Sequence, residues 1–435
     1  MSAIHPEIGR RAFESLPADE QEFWESVRHE LPGHCDLPDL HLASQWDNSG
    51  KEAWYARYDV LPNGRCTPHG PVDPNWVSAA LGGLPDASKS LYALRYFMKK
   101  TTERIRKRDV AEAARFSGSL AHMIQDCSTP GHVMNNITLN HLFPARGGKL
   151  VPLHSTIDFW PLPPCGVKPK PALLGRSVEE AAFLLNETLL RNAEAMSGDI
   201  VPLCQAIQRG QKKAVDRIMR KWNGESVRLT ASAWHTVFSL AHRRIPAEQQ
   251  RRFSALDLTR LPMVHEISPK FDRRKFIASG IPFYDCIYPE CDPARSRLST
   301  DRIPFEPAVN TSYDGNGTAI PSALLSGGKR VGGHSIAAGS YGVASFRVPG
   351  KLYSEFDVLA GVHPDSESAA EVTFAVWCPE ADNPLLAIGK ASKEADALHF
   401  RVRLPRQCHT LCLLSAGGNS RLSVVWLNPT LFAAN

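Results

Sequence analysis

A chain of 435 residues exceeds what one hydrophobic core of usual size can hold, which predicts two domains joined by an irregular segment. With 43% hydrophobic and 22% charged residues, disorder is the disfavoured reading, and a net charge of +5 without a basic tract permits an anionic substrate but does not demand one. No apolar run reaches the roughly 18 residues that a membrane span requires, and the opening Met-Ser-Ala-Ile-His-Pro lacks a signal-peptide pattern, so the chain as written reads as soluble and unexported.

Residues 1 to 245 read mainly as helix. SLAHMIQDC is compatible with a helix that Pro130 stops, while PLPPCGVKPKP at 161 to 171 must be a non-helical connector, because consecutive prolines remove donors and fix the backbone angle. Ser177 followed by Glu180 is a capping box that opens the run SVEEAAFLLNETLLRNAEAM, and ESVRLTASAWHTVFSLAHRR repeats apolar residues at helical spacing. From 246 to 309 no period dominates, which predicts an irregular linker. From 310 to 435 Gly and Ser punctuate short segments, and SEFDVLAGV, EVTFAVW, HFRVRLP and RLSVVWLNP place apolar residues at every second position. These predict an all-β sandwich. The expected fold is therefore multidomain, mainly α and then all-β. The ten cysteines are scattered and form no CxxC pair.

The candidate chemistry lies in SLAHMIQDCSTPGHVMNN and VPLHSTIDFW. His122 and Asp126 are four apart, so on a helix both leave one face at roughly 5–6 Å between Cβ atoms, close enough to share a zinc ion. His132 stands just beyond the helix stop, and His154 with Asp158 repeats the spacing. Spacing alone is weak evidence, since His69 with Asp73 and His363 with Glu367 match it too, and about two such pairs are expected by chance.

The ordered set His122, Asp126, Thr129, Pro130, His132, His154 and Asp158 resembles the zinc-dependent phospholipase C family and its relatives, the single-strand-specific zinc nucleases. In that family an HxxxD helix precedes a Thr-Pro or Gln-Pro turn, a histidine, and a second helix that opens HxxxE or HxxxD. The resemblance covers residues 3 to 245. It implies that His122 and Asp126 hold one zinc, with Asp126 reaching towards another, and that His132, His154 and Asp158 hold the second. His5, in AIHPEIGRRAF, looks like the early histidine that helps bind a third ion, and its alternative reading is an exposed residue near the terminus. An aspartate that holds zinc and orients the attacking water is assigned to Asp39 in CDLPDL in preference to Asp47 in QWDNSG. Two features depart from the pattern: Ala56 in WYARYDVLP occupies the place of a ligand histidine, for which His69 is a candidate substitute, and no tryptophan precedes His5.

The implied activity is hydrolysis of a phosphodiester by metal-activated water, with two or three Zn2+ as cofactors. No nucleophile elbow, P-loop or dinucleotide fingerprint competes with that reading. STPGH looks closer to the phospholipases and Asp158 closer to the nucleases. Phospholipid is favoured over nucleic acid because no array of aromatics and arginines for stacking bases is visible. The alternatives are a zinc nuclease and a degenerate, non-catalytic binding protein. Although the chain as written carries no leader, the relatives it resembles are usually secreted. Residues 325 to 433, with GGHS near the start and WLNPTL near the end, resemble the carbohydrate-binding module family NPCBM, which implies a jelly-roll-like sandwich that tethers to glycan. Trp377 and Trp426 are either its sugar platform or its core.

Overall fold

The computed structural model describes residues 4–39, 56–60, 66–71, 89–134, 136–144, 151–163, 168–263, 307–314, 316–340, 342–417 and 422–433. They form two compact units, Met1–Gln250 and Arg251–Asn435. The first is helical and the second is an antiparallel β-sandwich, so the multidomain α and all-β reading holds.

In the helical unit the chain forms α1 (Ile4–Phe13), α2 (Ala18–Trp24), α3 (Glu30–Gly33), α4 (Lys89–Arg106), α5 (Val110–Cys127), α6 (Asn136–Leu142), α7 (Leu153–Asp158), α8 (Val178–Gln208) and α9 (Lys212–Ala241), with α10 (Ala247–Arg252) at the unit boundary. A hairpin of β1 (Ala56–Val60) and β2 (Cys66–Pro71) interrupts the helices, with Val60 paired to Cys66 and Ala56 to Pro71. Helix α5 is the axis of the unit. Every residue from Phe116 to Cys127 is buried, so the helix's polar members, Ser117, Ser119, His122, Gln125 and Asp126, must find their partners inside the unit. It opens at Asp109, whose carboxylate accepts from the Glu112 N–H.

The α8 capping box forms with a variation. Ser177 Oγ accepts from the Glu180 N–H, while the Glu180 carboxylate accepts from the Arg176 N–H, one residue earlier than the usual reciprocal bond. The Arg176 guanidinium also donates to that carboxylate, which holds the glutamate one step back.

In the second unit one sheet runs β10-β15-β12-β13, from β10 (Gly342–Arg347), β12 (Val372–Trp377), β13 (Leu385–Ala391) and β15 (Thr410–Gly417). The facing sheet runs β14-β11-β16-β9-β4, from β4 (Ala308–Val309), β9 (Ser335–Gly339), β11 (Tyr353–Val362), β14 (Leu398–Arg403) and β16 (Ser423–Ala433). Two small hairpins, β5 (Ser312–Tyr313) with β6 (Ala319–Ile320) and β7 (Ala323–Ser326) with β8 (Lys329–Gly332), lie between β4 and β9 in the chain. All four segments with period-two alternation are strands. The stretch 246–309 contains β3 (Ala255–Asp257), which pairs with Thr430–Phe432 of β16. Three residues are too few to leave a period in the sequence.

The sandwich closes on aromatic contacts. Phe374 meets Trp426 across the sheets with ring centroids 5.5 Å apart, and Phe400 lies 6.2 Å from the same indole. Trp426 is 2% exposed and Trp377 1%, so both are core residues and neither is a sugar platform. Replacing Trp426 by alanine is expected to cost the β unit about 3–5 kcal/mol, measured as a fall in its denaturant midpoint. His363, one of the chance matches to the His-xxx-acid spacing, is buried here too. It donates from Nε2 to the Pro321 carbonyl and accepts at Nδ1 from the Asp365 N–H. Burial lowers its pKa below the usual imidazole value, and its role is structural.

Candidate metal centre

The sequence that ends α5 also aims the candidate ligands. Ser128 and Thr129 return their hydroxyl protons to the carbonyls of Ile124 and Gln125, four residues back. Thr129, restricted by the following proline, is extended. Pro130–His132 then forms a single 3-10 turn that brings His132 back over the last turn of α5. Gly131 packs closely in that turn: a Cβ there would lie 3.0 Å from Asp158 Oδ1 and 3.4 Å from His154 Nδ1 on α7.

All seven residues assigned from the sequence converge. Asp126 is the hub. One carboxylate oxygen, Oδ1, lies 3.2 Å from His5 Nε2 and 3.6 Å from His132 Nε2, while Oδ2 lies 3.1 Å from His122 Nε2. Asp39 Oδ1 approaches His122 Nε2 at 3.6 Å. On the other side, Asp158 lies 2.9 Å from His154 Nε2 and 3.6 Å from His132 Nε2. His5, Asp39 and His122 form one group able to share an ion, and His132, His154 and Asp158 form another. His5 is buried at 3% exposure, which rules out the reading of a solvated terminal residue. Asp47 and the side chain of His69 lie outside the described residues, as does that of Ala56.

The hydrogen bonds around the imidazoles determine what they face. A carbonyl oxygen only accepts, so the contacts of His122 Nδ1 with the Cys35 carbonyl at 2.8 Å and of His154 Nδ1 with the Gly131 carbonyl at 3.0 Å place a proton on each Nδ1. His5 Nδ1 is likewise 2.8 Å from Gln125 Oε1. In the neutral ring each Nε2 then carries a lone pair, and each lone pair points at a carboxylate. Lone pair against anion is repulsive, so a cation must sit between them or a second proton must bind. Asp126 Oδ1 is buried with no hydrogen-bond donor among the described residues. Imidazoles that hold a metal have their second ring nitrogen tied to an acceptor in the same way, so these residues could hold an ion. The nitrogen-to-oxygen separations run from 2.9 to 3.6 Å and bracket the edges of about 3.3–3.5 Å that zinc bonds of about 2.0–2.2 Å imply in a tetrahedron.

One carboxylate was not picked out from the sequence. Asp36, buried in the turn that also presents the Cys35 carbonyl, feels His5, His122 and Asp39. Burial raises its pKa to about 6 against the attraction of the two histidines, and its Oδ1 has no hydrogen-bond partner among the described residues. Its proximity comes from the turn at His34–Asp36 lying against α5, a tertiary placement that no local spacing encodes. Only the repeated aspartate in CDLPD hinted at it.

Burial would push His122 down, but the adjoining Asp126 carboxylate, with Asp39 and Asp36 behind it, outweighs burial and raises it to about 9. His154 is raised through its bond to Asp158. Burial opposes ionisation of Asp126, yet His122 and His132 hold its carboxyl well below the ordinary range. A base whose folded pKa is raised contributes stability below its unfolded pKa and loses that contribution as pH climbs through the folded value. The metal-free chain is therefore expected to melt lower at pH 9 than at pH 6.5, by on the order of 5 °C. Zinc competes with those protons, so the rise in Tm on adding zinc is expected to grow over the same window, as thermal melts with and without chelator would reveal.

Compared with protein-family models and with curated proteins, the sequence matches none. Among solved structures, the chain is similar to the M60 catalytic domain with CBM51-1 and CBM51-2 from Clostridium perfringens ZmpB, at 18% identity and a TM-score of 0.25, over 29% of this chain and 13% of that one. It is also similar to CBM51 from Clostridium perfringens GH95 in complex with methyl-galactose, at 17% identity and a TM-score of 0.24, over 28% of this chain and 87% of that one. A third is the tandem CBM51 modules of Sp3GH98 from Streptococcus pneumoniae SP3-BS71, at 15% identity and a TM-score of 0.28, over 42% of this chain and 47% of that one. The match thus spans well under two thirds of the first and third of these chains.

Proposed function

We propose that the helical unit is a zinc-dependent phosphoric ester hydrolase of the phospholipase C type. The observation that carries the proposal is the set of three imidazoles whose Nδ1 protons are committed to oxygen acceptors and whose Nε2 atoms face carboxylates. His5, Asp39, His122 and Asp126 would hold one ion, and Asp126, His132, His154 and Asp158 would hold the other. When bound, zinc supplies charge stabilisation for a phosphate and lowers the pKa of water towards neutrality. The protein's own groups do the rest. Asp126, at the centre and ionised, sets the spacing of the two positions. Its buried environment excludes water and keeps the field of the carboxylates undiluted. Asp39, with 39% of its side chain exposed, is the cluster member best placed to orient an attacking water and accept its proton. Asp36, buried in the turn that leads to Asp39, adds a further carboxylate to the field around His5 and His122.

Phospholipid is the proposed substrate class. The zinc-loaded full chain is expected to release phosphocholine from phosphatidylcholine vesicles, to lose that activity in chelator and to regain it with zinc. Cleavage of single-stranded DNA without lipid turnover would transfer the assignment to nucleic acid, and a metal-loaded chain that cleaves neither would leave only binding. Glycan binding by the β unit, implied by its sequence resemblance, would have to use side chains other than Trp377 and Trp426, which are buried.

A further inference from the structure

The β unit holds a cluster that the hydrolase reading does not use. Strand β12 ends at Trp377, and Cys378 follows at the start of a turn closed by the Ala381 N–H donating to the Cys378 carbonyl. Cys408 sits in the turn that leads into β15, where its own N–H donates to the Pro405 carbonyl. These two turns meet because β12 and β15 are paired, with Trp377 opposite Cys412. Both sulfurs are fully buried and unbonded to each other. Glu380 reaches the same point from the β12 turn, and its ligand oxygen and the two sulfurs all lie within 4.8 Å of one another.

The carboxylate is held in place by the opposite turn. Glu380 Oε2 accepts from the His409 N–H at 3.2 Å and the Thr410 N–H at 3.1 Å, and Oε1 accepts from the Thr410 hydroxyl at 2.9 Å. These three bonds leave about one lone pair free on a carboxylate that can offer about four. The Cys378 thiol is 3.7 Å from Oε2. The Cys408 turn is closely packed as well: a Cβ at Gly350 would come within 2.3 Å of the Pro405 carbonyl oxygen and 3.1 Å of Cys408 Cβ.

We propose that Cys378, Glu380 and Cys408 form a separate metal site for a thiophilic divalent cation of the zinc class, which ties the turn after β12 to the turn before β15. Tetrahedral zinc with bonds of about 2.3 Å to sulfur and 2.0–2.2 Å to oxygen has ligand edges of about 3.5–3.8 Å, inside the observed limit. Binding releases the two thiol protons to solvent, so one carboxylate and two thiolates face one dication, and no oxidant or reductant enters the step. The donors to Glu380 supply the outer shell that such ligands need.

Cobalt discriminates this site from the histidine and aspartate cluster, because only thiolate ligands give the intense sulfur-to-cobalt charge-transfer absorption in the near ultraviolet. The full chain, reduced with a phosphine and titrated with Co2+, is expected to develop that band and to saturate it within about three equivalents per chain, two of them taken by the histidine and aspartate cluster. Cys378→Ser with Cys408→Ser should abolish the band, whereas Asp126→Asn should leave it intact. Glu380→Gln, the milder variant should the serine pair fail to fold, is expected to weaken cobalt binding at this site by at least about tenfold. Absence of the band in the fully reduced wild-type chain at millimolar cobalt, or its persistence in a folded serine double variant, overturns the proposal. A Cys378–Cys408 disulfide that survives the phosphine in the native protein, found by peptide mapping, does the same.

Discussion

Asp126→Asn is expected to abolish metal-dependent turnover, by at least roughly three orders of magnitude, and to strip about two zinc ions from the helical unit. No other carboxylate among the described residues approaches three of the cluster's histidines at once. Oδ1 faces His5 and His132, and Oδ2 faces His122, so one substitution removes a ligand from both positions and the negative charge that draws both ions. The side chain's size is conserved, which makes loss of charge the dominant effect. Far-ultraviolet circular dichroism should be unchanged, since the buried amide can still bond to its neighbours. His132→Ala, by contrast, is expected to empty mainly the position shared with His154 and Asp158 while His5 and His122 retain an ion. Equal zinc content in wild type and Asp126→Asn would refute the hub role.

Gly118→Ala is the second large expected effect, and it acts from a distance. Gly118 lies one turn before His122 on α5, where the turn at His34 presses on the helix. A Cβ there would stand 2.3 Å from His34 Cβ and 2.5 Å from the His34 carbonyl carbon. These are backbone and near-backbone atoms, so no rotamer change relieves the contact, and the turn itself must move. That turn supplies the Cys35 carbonyl that fixes His122 and carries Asp36, and it leads directly to Asp39. A loss of about 2–3 kcal/mol in stability is expected, above the usual gain of alanine over glycine within a helix. Zinc affinity at the His5, Asp39 and His122 position should fall by about ten- to a hundredfold, with His132, His154 and Asp158 little affected. Denaturant melts and zinc titration of the purified variant check the two arms. A variant as stable as wild type would show that the turn is not clamped to α5.

The candidate ligands on helices were legible because helical spacing is a local property. His122 with Asp126 and His154 with Asp158 each lie one turn apart, and Pro130 marks the break that swings His132 round. The order of these residues separated them from His363, whose identical spacing to Glu367 falls in a β unit where that ring bonds to the backbone. What escaped the sequence is tertiary. Asp36 matters because its turn crosses α5, and Gly118 matters because nothing larger fits beneath that turn. Neither fact has a period. The carbonyls of Cys35 and Gly131, which fix the imidazole protons, are backbone atoms that residue identity does not announce.

In the β unit, alternation located the long strands but did not tell core from binding face. Ala375 and Trp377 lie on one side of β12, while Phe374 turns to the other and meets Trp426. Residues on both sides are buried, so apolar alternation carried no information about an exposed platform. The β1–β2 hairpin was also missed within a stretch read as helix, although Asn63 and Gly64, between the two strands, are a hairpin-turn signal in the sequence.

Anomalous diffraction at the zinc edge, from crystals of the full chain grown with zinc, tests the central claim most directly. Two peaks are expected in the helical unit, one among His5, Asp39, His122 and Asp126 and one among Asp126, His132, His154 and Asp158. A map without anomalous density at this cluster, with His122 and Asp126 instead joined only by a proton, would contradict the account.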